Sequence, residues 1–265
     1  MAFVALVAFL LVIGLLFVFQ RSLLYHPRAL GKAEFREQVA RRFKPETHLL
    51  EPFDAIVIDP ASGKKVVGTA VLFHGNAELG IDRTDLALAL EARGLRAILA
   101  EYPGYGPRDG RSTQEAIVTD AISLYRTVRI RYPQEPTLLV GVSLGSGVAV
   151  QVAARVEVSE APSRLVLLTP YLSIPKTAAM VFPYFLAHYL VLDRFDSEHA
   201  LPRYTGPVAI GVASRDEVVG AAQGYALARI AQARGATQLV VFRDAGHNDW
   251  SARATEEQWK ELLGY

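Results

Sequence analysis

"LLVGVSLGSGVAV", Leu138 to Val150, decides the fold. An apolar, β-branched run stops at Val142, and a small-residue run begins at Leu144. Between them sits Gly141-Val142-Ser143-Leu144-Gly145, a Gly-x-Ser-x-Gly pattern. The pattern describes a sharp strand-to-helix turn that holds a serine hydroxyl clear of the backbone. Glycine is required on either side because a β-carbon there would meet the neighbouring strand or helix. An ordinary glycine-rich turn is the bland reading. The position, after a strand and at the opening of a helix, argues for a nucleophile.

Outward from this turn the chain alternates short apolar strands with helices. Before it come "FDAIVID" and "KVVGTAVLF", split by the turn "PASGKK". A helix follows over Asp82–Arg93, ending at Gly94 as a C-cap, then the strand "LRAILAEY". The helix "STQEAIVTDAISLYRTVRIRY" opens on a Ser-x-x-Glu start. After the turn come the strands "RLVLLTP" and "PVAIGVAS", the helix "VVGAAQGYALARIAQARG", the strand "TQLVVF" and a last helix, "ARATEEQWKELLGY". This alternation predicts an α/β fold, a mostly parallel sheet with helices on both faces. Ligands on such sheets sit at the carboxyl ends of the strands. Residues 171–205 interrupt the rhythm and read as a small inserted cap. Its Phe182, Tyr184, Phe185, His188 and Tyr189 suit either an acyl pocket or an apolar cap core. Asp193 and Asp196 read as capping or salt-bridge residues.

A serine hydroxyl is a poor nucleophile until a base accepts its proton and an acid orients that base. Of the six histidines, His247 in "FRDAGHND" falls between the last strand and the last helix. Asp216 in "GVASRDEVV" follows the preceding strand, with Glu217 a weaker candidate and a helix N-cap the competing role for Asp216. An oxyanion needs backbone donors. The Leu144 amide supplies one, and the turn His74-Gly75-Asn76-Ala77 the other, from Asn76 with Ala77 as the fallback. His74 itself reads as a structural hydrogen-bonder. Tyr102 and Tyr105, in "EYPGYGPRDG", read as packing residues against the floor of the site.

Residues 1–19, "MAFVALVAFLLVIGLLFVF", carry no charge and no proline. As a helix they span about 28 Å, close to the apolar thickness of a bilayer. A core helix would show a polar face, and a signal peptide would carry its positive charge ahead of the apolar run. Here Arg21, Arg28, Lys32 and Arg36 follow it. The pattern predicts an uncleaved single-pass anchor, a basic juxtamembrane segment over 20–46 that is solvated or lies on anionic headgroups, and a domain over 47–265. The positive-inside rule puts that domain on the cytoplasmic side.

Composition excludes several other classes. The chain has 265 residues, 51% of them apolar and 21% charged, with a net charge of +1, so nothing drives it toward nucleic acid. It has no cysteine, which removes disulfides, thiol catalysis and thiolate metal sites. No metal-ligand spacing and no phosphate-binding glycine loop occurs, and no cofactor is expected.

The sequence resembles the membrane-anchored α/β-hydrolases of the Bem-type and α/β-hydrolase domain-containing families. The matching pieces, in order, are the apolar helix with "RSLLYHP", then "LFHGNAELG", "EYPGYGPRDGRSTQEA", "GVSLGSGVAV", "DRFDS", "SRDEVV" and "GHND". The resemblance implies a serine hydrolase acting on acyl esters or thioesters, including lipids and lipidated proteins, with Ser143 as nucleophile, Asp216 as acid and His247 as base. "ASRDE" stands where the family has His-Gly-x-x-Asp, and Glu-Tyr-Pro where Asp-Tyr-Arg is common. These departures leave the substrate open. The partners expected are an acyl-bearing small molecule or lipid and the membrane. An acyltransferase of the same fold and a non-catalytic membrane-tethered binding module are the alternatives.

Overall fold

The computed structural model describes residues 2–181 and 187–265. Eleven α-helices and eight strands are defined among them, with three short 3-10 turns besides. In chain order they are α1 (Ala2–Leu24), α2 (Lys32–Arg42), β1 (His48–Leu50), β2 (Ala55–Ile58), β3 (Gly68–Phe73), α3 (Thr84–Ala92), β4 (Leu95–Leu99), α4 (Gln114–Arg131), β5 (Thr137–Val142) and α5 (Leu144–Ala153). They continue with β6 (Arg164–Leu168), α6 (Ile174–Val181), α7 (Ala187–Leu190), α8 (Ser197–Ala200), β7 (Val208–Ala213), α9 (Ala221–Gln232), β8 (Thr237–Phe242), α10 (Trp250–Arg253) and α11 (Glu256–Leu263).

The strands form one sheet in the order β1-β2-β4-β3-β5-β6-β7-β8. β1 and β2 run antiparallel at one edge, and every pairing from β4 to β8 is parallel. β3 and β5 pair at the centre with Phe73 opposite Gly141, which aligns the two strand ends that carry the chemistry. Both strands are buried along their whole length, as a sheet covered on both faces requires. One continuous apolar core joins the sheet to the flanking helices.

Several boundaries differ from the sequence reading for local reasons. The cap of α4 is Thr113, whose side chain accepts from the Ala116 amide; Ser112 instead donates to the Pro103 carbonyl. α9 begins only at Ala221, because the Asp216 carboxylate takes the Val218 and Val219 amides into a turn and Gly220 follows at φ 80°. The final helix is two, since Ala254 is extended and Thr255 opens α11 through a capping box with Gln258. α3 ends as expected, with Gly94 left-handed at φ 75°.

α1 contains one span, Leu6–Leu24, long and apolar enough to cross a membrane, and none of it is buried in the protein. The basic stretch after it is folded onto the domain. Tyr25, Phe35 and Val39 enter the common core, Arg28 and Arg42 both pair with Asp82, and Arg36 pairs with Glu51. Its charges are thus largely matched by protein carboxylates. Between β6 and β7 the segment expected as a cap carries α6, α7 and α8. Asp193 pairs with Arg21, and Asp196 caps α8 through the His199 amide.

Candidate active site

The turn at Ser143 is strained in the way the sequence demanded. Ser143 has φ 49° and ψ −117°, a backbone region that side chains rarely enter. Neither flanking glycine admits a side chain. A β-carbon on Gly141 would stand 2.3 Å from the Gly145 carbonyl oxygen, and one on Gly145 would stand 2.0 Å from the Phe73 carbonyl oxygen. The Ser143 amide is pinned to the Leu168 carbonyl at the end of β6 (3.0 Å), and its carbonyl receives the Ser146 amide (2.9 Å). These bonds hold the strain in place.

Ser143, His247 and Asp216 meet. His247 Nε2 lies 2.9 Å from Ser143 Oγ, and His247 Nδ1 lies 2.8 Å from Asp216 Oδ2. The serine is part-exposed, while His247 and Asp216 are buried. The loops after β7 and β8 are stitched together to achieve this. Arg215 N donates to the Ala245 carbonyl (2.8 Å), and Asp244 N donates to Ser214 Oγ (2.8 Å). Asp249, which the sequence reading passed over, receives the Gly246 amide (2.6 Å) and shapes the turn that presents His247. Below this turn Trp250 packs between Phe242 and Trp259.

Asp216 uses its two oxygens differently, and the amides it takes belong to a turn before α9 rather than to a helix N-terminus. Oδ2 faces His247, and Oδ1 accepts the Val218 and Val219 amides at 3.0 Å each. Burial alone would raise its pKa. The His247 hydrogen bond and charge, with the two amides, outweigh burial and hold the carboxyl below its ordinary value. It is therefore an anion at neutral pH. Glu217 is exposed and points elsewhere, beside Gly246.

The His74–Ala77 turn lies against the serine: a β-carbon on Gly75 would stand 3.4 Å from Ser143 Cβ. The Ala77 amide is already satisfied by Asn76 Oδ1 (3.0 Å), which favours Asn76 over Ala77 as the donor on this side. Leu144 is the first residue of α5, where amides lack an intrahelical acceptor and the helix dipole favours negative charge. Leu144 follows the serine on the α5 side, and the turn after β3 approaches it through Gly75 on the other.

Three supports of this turn were not foreseen. Glu78 accepts the Gly75 amide and pairs with Arg83. Tyr102 donates to the His74 carbonyl (2.7 Å), and Tyr105 donates to Asn76 Oδ1 (2.8 Å); both rings are buried. A glutamate three residues after a turn glycine was a readable signal for the first. The tyrosine bonds depend on tertiary approach and leave no local mark. His74 is fully buried, with Nδ1 2.7 Å from the Gly75 carbonyl and Nε2 3.6 Å from Glu101. Burial pushes the imidazole down to about 3, so His74 is neutral, and burial likewise drives the Glu101 carboxyl well above its ordinary value. Of the cap residues named from sequence, Phe182, Tyr184 and Phe185 and the side chain of His188 lie outside the described residues. Tyr189 is exposed.

An eight-stranded sheet of this order, with a strained serine after β5 and its partners after β7 and β8, defines an α/β-hydrolase. Comparison with known proteins agrees, and the chain has the α/β-hydrolase fold. The model of the family described as "Serine aminopeptidase, S33" matches residues 64–195, which take in Asn76, Ser143 and Leu144. An uncharacterized protein of Mycobacterium tuberculosis is 32% identical over 185 residues, 69% of this chain and 64% of that protein. The lysophosphatidylserine lipase ABHD12 of Danio rerio is 30% identical over 162 residues, 55% of this chain and 42% of that one. The chain thus spans less than two thirds of the length of these relatives. Among solved structures, an esterase of Pyrococcus furiosus superposes with a TM-score of 0.66 at 17% identity, covering 91% of this chain and 94% of that one. An α/β serine hydrolase homologue from Coxiella burnetii gives 0.60 at 22%, covering 84% and 98%.

Proposed function

We propose that the protein is a membrane-anchored serine hydrolase that cleaves acyl esters of lipids. The observation that carries this reading is the continuous hydrogen-bonded series from Ser143 Oγ through His247 to Asp216, at 2.9 and 2.8 Å. Ser143 attacks the acyl carbonyl while His247 Nε2 takes the hydroxyl proton. Asp216 holds the Nδ1–H tautomer and stabilises the imidazolium. The Asn76 and Leu144 amides receive the oxyanion. His247 then returns the proton to the leaving alcohol, and a water activated by the same imidazole releases the acid. One oxyanion donor of this kind is worth about 3 kcal/mol.

Three features support a lipid substrate. The span Leu6–Leu24 is long and apolar enough to cross a membrane, and an anchor there, with the basic residues after it on the cytoplasmic side, would hold the site near a bilayer. The cap exposes Met180, Val181, Tyr189 and Leu192. The Danio rerio relative is named a lysophosphatidylserine lipase. The test is a panel of monoacyl lipids and esters of graded chain length, presented in detergent micelles to the full chain, with Ser143→Ala as blank. Serine-dependent release that rises with acyl length is expected. Turnover confined to short water-soluble esters overturns the lipid assignment, and turnover equal in the blank overturns the hydrolase assignment.

A further inference from the structure

The candidate oxyanion turn is bonded to the chain as it leaves the apolar helix. Asn76 Nδ2 donates to the Leu24 carbonyl (2.5 Å), and Asn76 Oδ1 accepts the His26 amide (3.1 Å). The same oxygen accepts the Tyr105 hydroxyl (2.8 Å) and the Ala77 amide (3.0 Å). Three donors thus converge on the carboxamide oxygen and one carbonyl on its nitrogen, which fixes the plane of the group. The segment is stitched again four residues on. Leu30 N donates to the Gly106 carbonyl and Gly106 N to the Arg28 carbonyl, each at 2.9 Å, so the strand-like piece 28–30 lies along the loop that carries Tyr105.

The last turns of the helix also grip the cap. Gln20 accepts the Leu192 amide (2.8 Å) and donates to the Leu190 carbonyl (3.3 Å). Arg21 pairs with the buried Asp193 at 2.9 Å. The helix end is therefore fixed on two sides, to the cap by Gln20 and Arg21 and to the Ser143 side of the site by Leu24 and His26.

We infer that the exit of the apolar helix is a working wall of the active site, and that the Asn76 side chain is a positioning residue that sets its own backbone amide from that wall. The inference rests on the hydrolase reading above. A tether would need only a flexible connection; here the connection ends in two directional bonds, from Leu24 and His26, on the residue whose amide is the candidate oxyanion donor. Such a donor works only if held within a few tenths of an ångström of its place. Cutting the side-chain bonds leaves the amide present but free to turn away, which weakens transition-state binding more than substrate binding.

The test uses the full chain in detergent, a short p-nitrophenyl ester, and a fluorophosphonate titration that counts active sites. Asn76→Ala is expected to lower kcat per titrated site by about 10²-fold with KM within about threefold. Tyr105→Phe, which removes one hydroxyl from the same oxygen, is expected to lower it by less, with the ring packing kept. A purely structural role would reduce the number of titratable sites and leave kcat per site unchanged. Wild-type kcat per site in both variants overturns the inference. If Asn76→Ala fails to fold, Tyr105→Phe decides alone. Wild-type protein that neither turns over the ester nor labels at Ser143 removes the hydrolase reading instead, so the two failures are distinguishable.

Discussion

Gly145→Ala tests how the site is built. Gly145 stands between the two candidate oxyanion donors, beside Leu144 in sequence and against β3 in space. Its added methyl would lie 2.0 Å from the Phe73 carbonyl oxygen and 2.6 Å from that of His74. Carbon and oxygen in ordinary contact are about 3.3 Å apart, so α5 and the end of β3 must separate by about 1 Å. Both obstacles are backbone, and neither can swing aside. Overpacking of this kind costs about 1–3 kcal/mol of stability. The larger effect falls on rate, because the movement parts Leu144 from the His74–Ala77 turn, and a misplacement of about 1 Å costs about 10²-fold. The assay is steady-state hydrolysis of a short ester beside thermal denaturation, with Gly31→Ala as control, since nothing lies within 4 Å of a β-carbon there. A kcat reduced about 100-fold with a modest fall in Tm is expected. A kcat within threefold of wild type would refute the reasoning.

Asp216→Asn keeps an oxygen for the Val218 and Val219 amides but removes the charge facing His247, so kcat should fall about 10⁴-fold with little change in Tm. His74→Gln should alter the acid branch of stability. Native His74 stays neutral down to about 3, whereas the unfolded imidazole protonates near its ordinary value of about 6.5, so this residue destabilises the fold as pH falls through that window. Stability of the variant relative to wild type should therefore rise on acidification by up to about 1.4 kcal/mol per pH unit, read from urea midpoints between pH 6.5 and 4.5. Arg96 bonds Asp59, Glu135 and Thr69 and lies 3.7 Å over the Tyr132 ring, far from Ser143 in the fold. Arg96→Ala should cost about 2–3 kcal/mol in denaturant midpoint, less than a fully buried pair because Asp59 is partly exposed, with kcat per titrated site unchanged.

The centre of the fold was legible because its residues are constrained locally. β5, the Ser143 turn and α5 announce themselves through an apolar run, two obligatory glycines and a small-residue helix. Asp216 and His247 were readable because each follows its own strand in the expected order. What escaped depends on approach in space. Nothing near Asn76 in sequence predicts that its side chain bonds Leu24 and His26, some fifty residues earlier. The basic stretch looked like a linker because its charges dominate the pattern, yet Phe35 and Val39 lie one turn apart and carry α2 onto the core. The break between α10 and α11 was visible as Thr-x-x-Gln at Thr255 and Gln258, a cap hidden inside a continuous helical pattern.

The central claim is that one serine among all in the chain is activated by His247. A fluorophosphonate probe, reacted with the full chain in detergent and located by peptide mass spectrometry, tests it most directly. The account predicts a single adduct on Ser143, lost in folded His247→Ala. An adduct on Ser146, three residues on, or undiminished labelling without the imidazole, would contradict it.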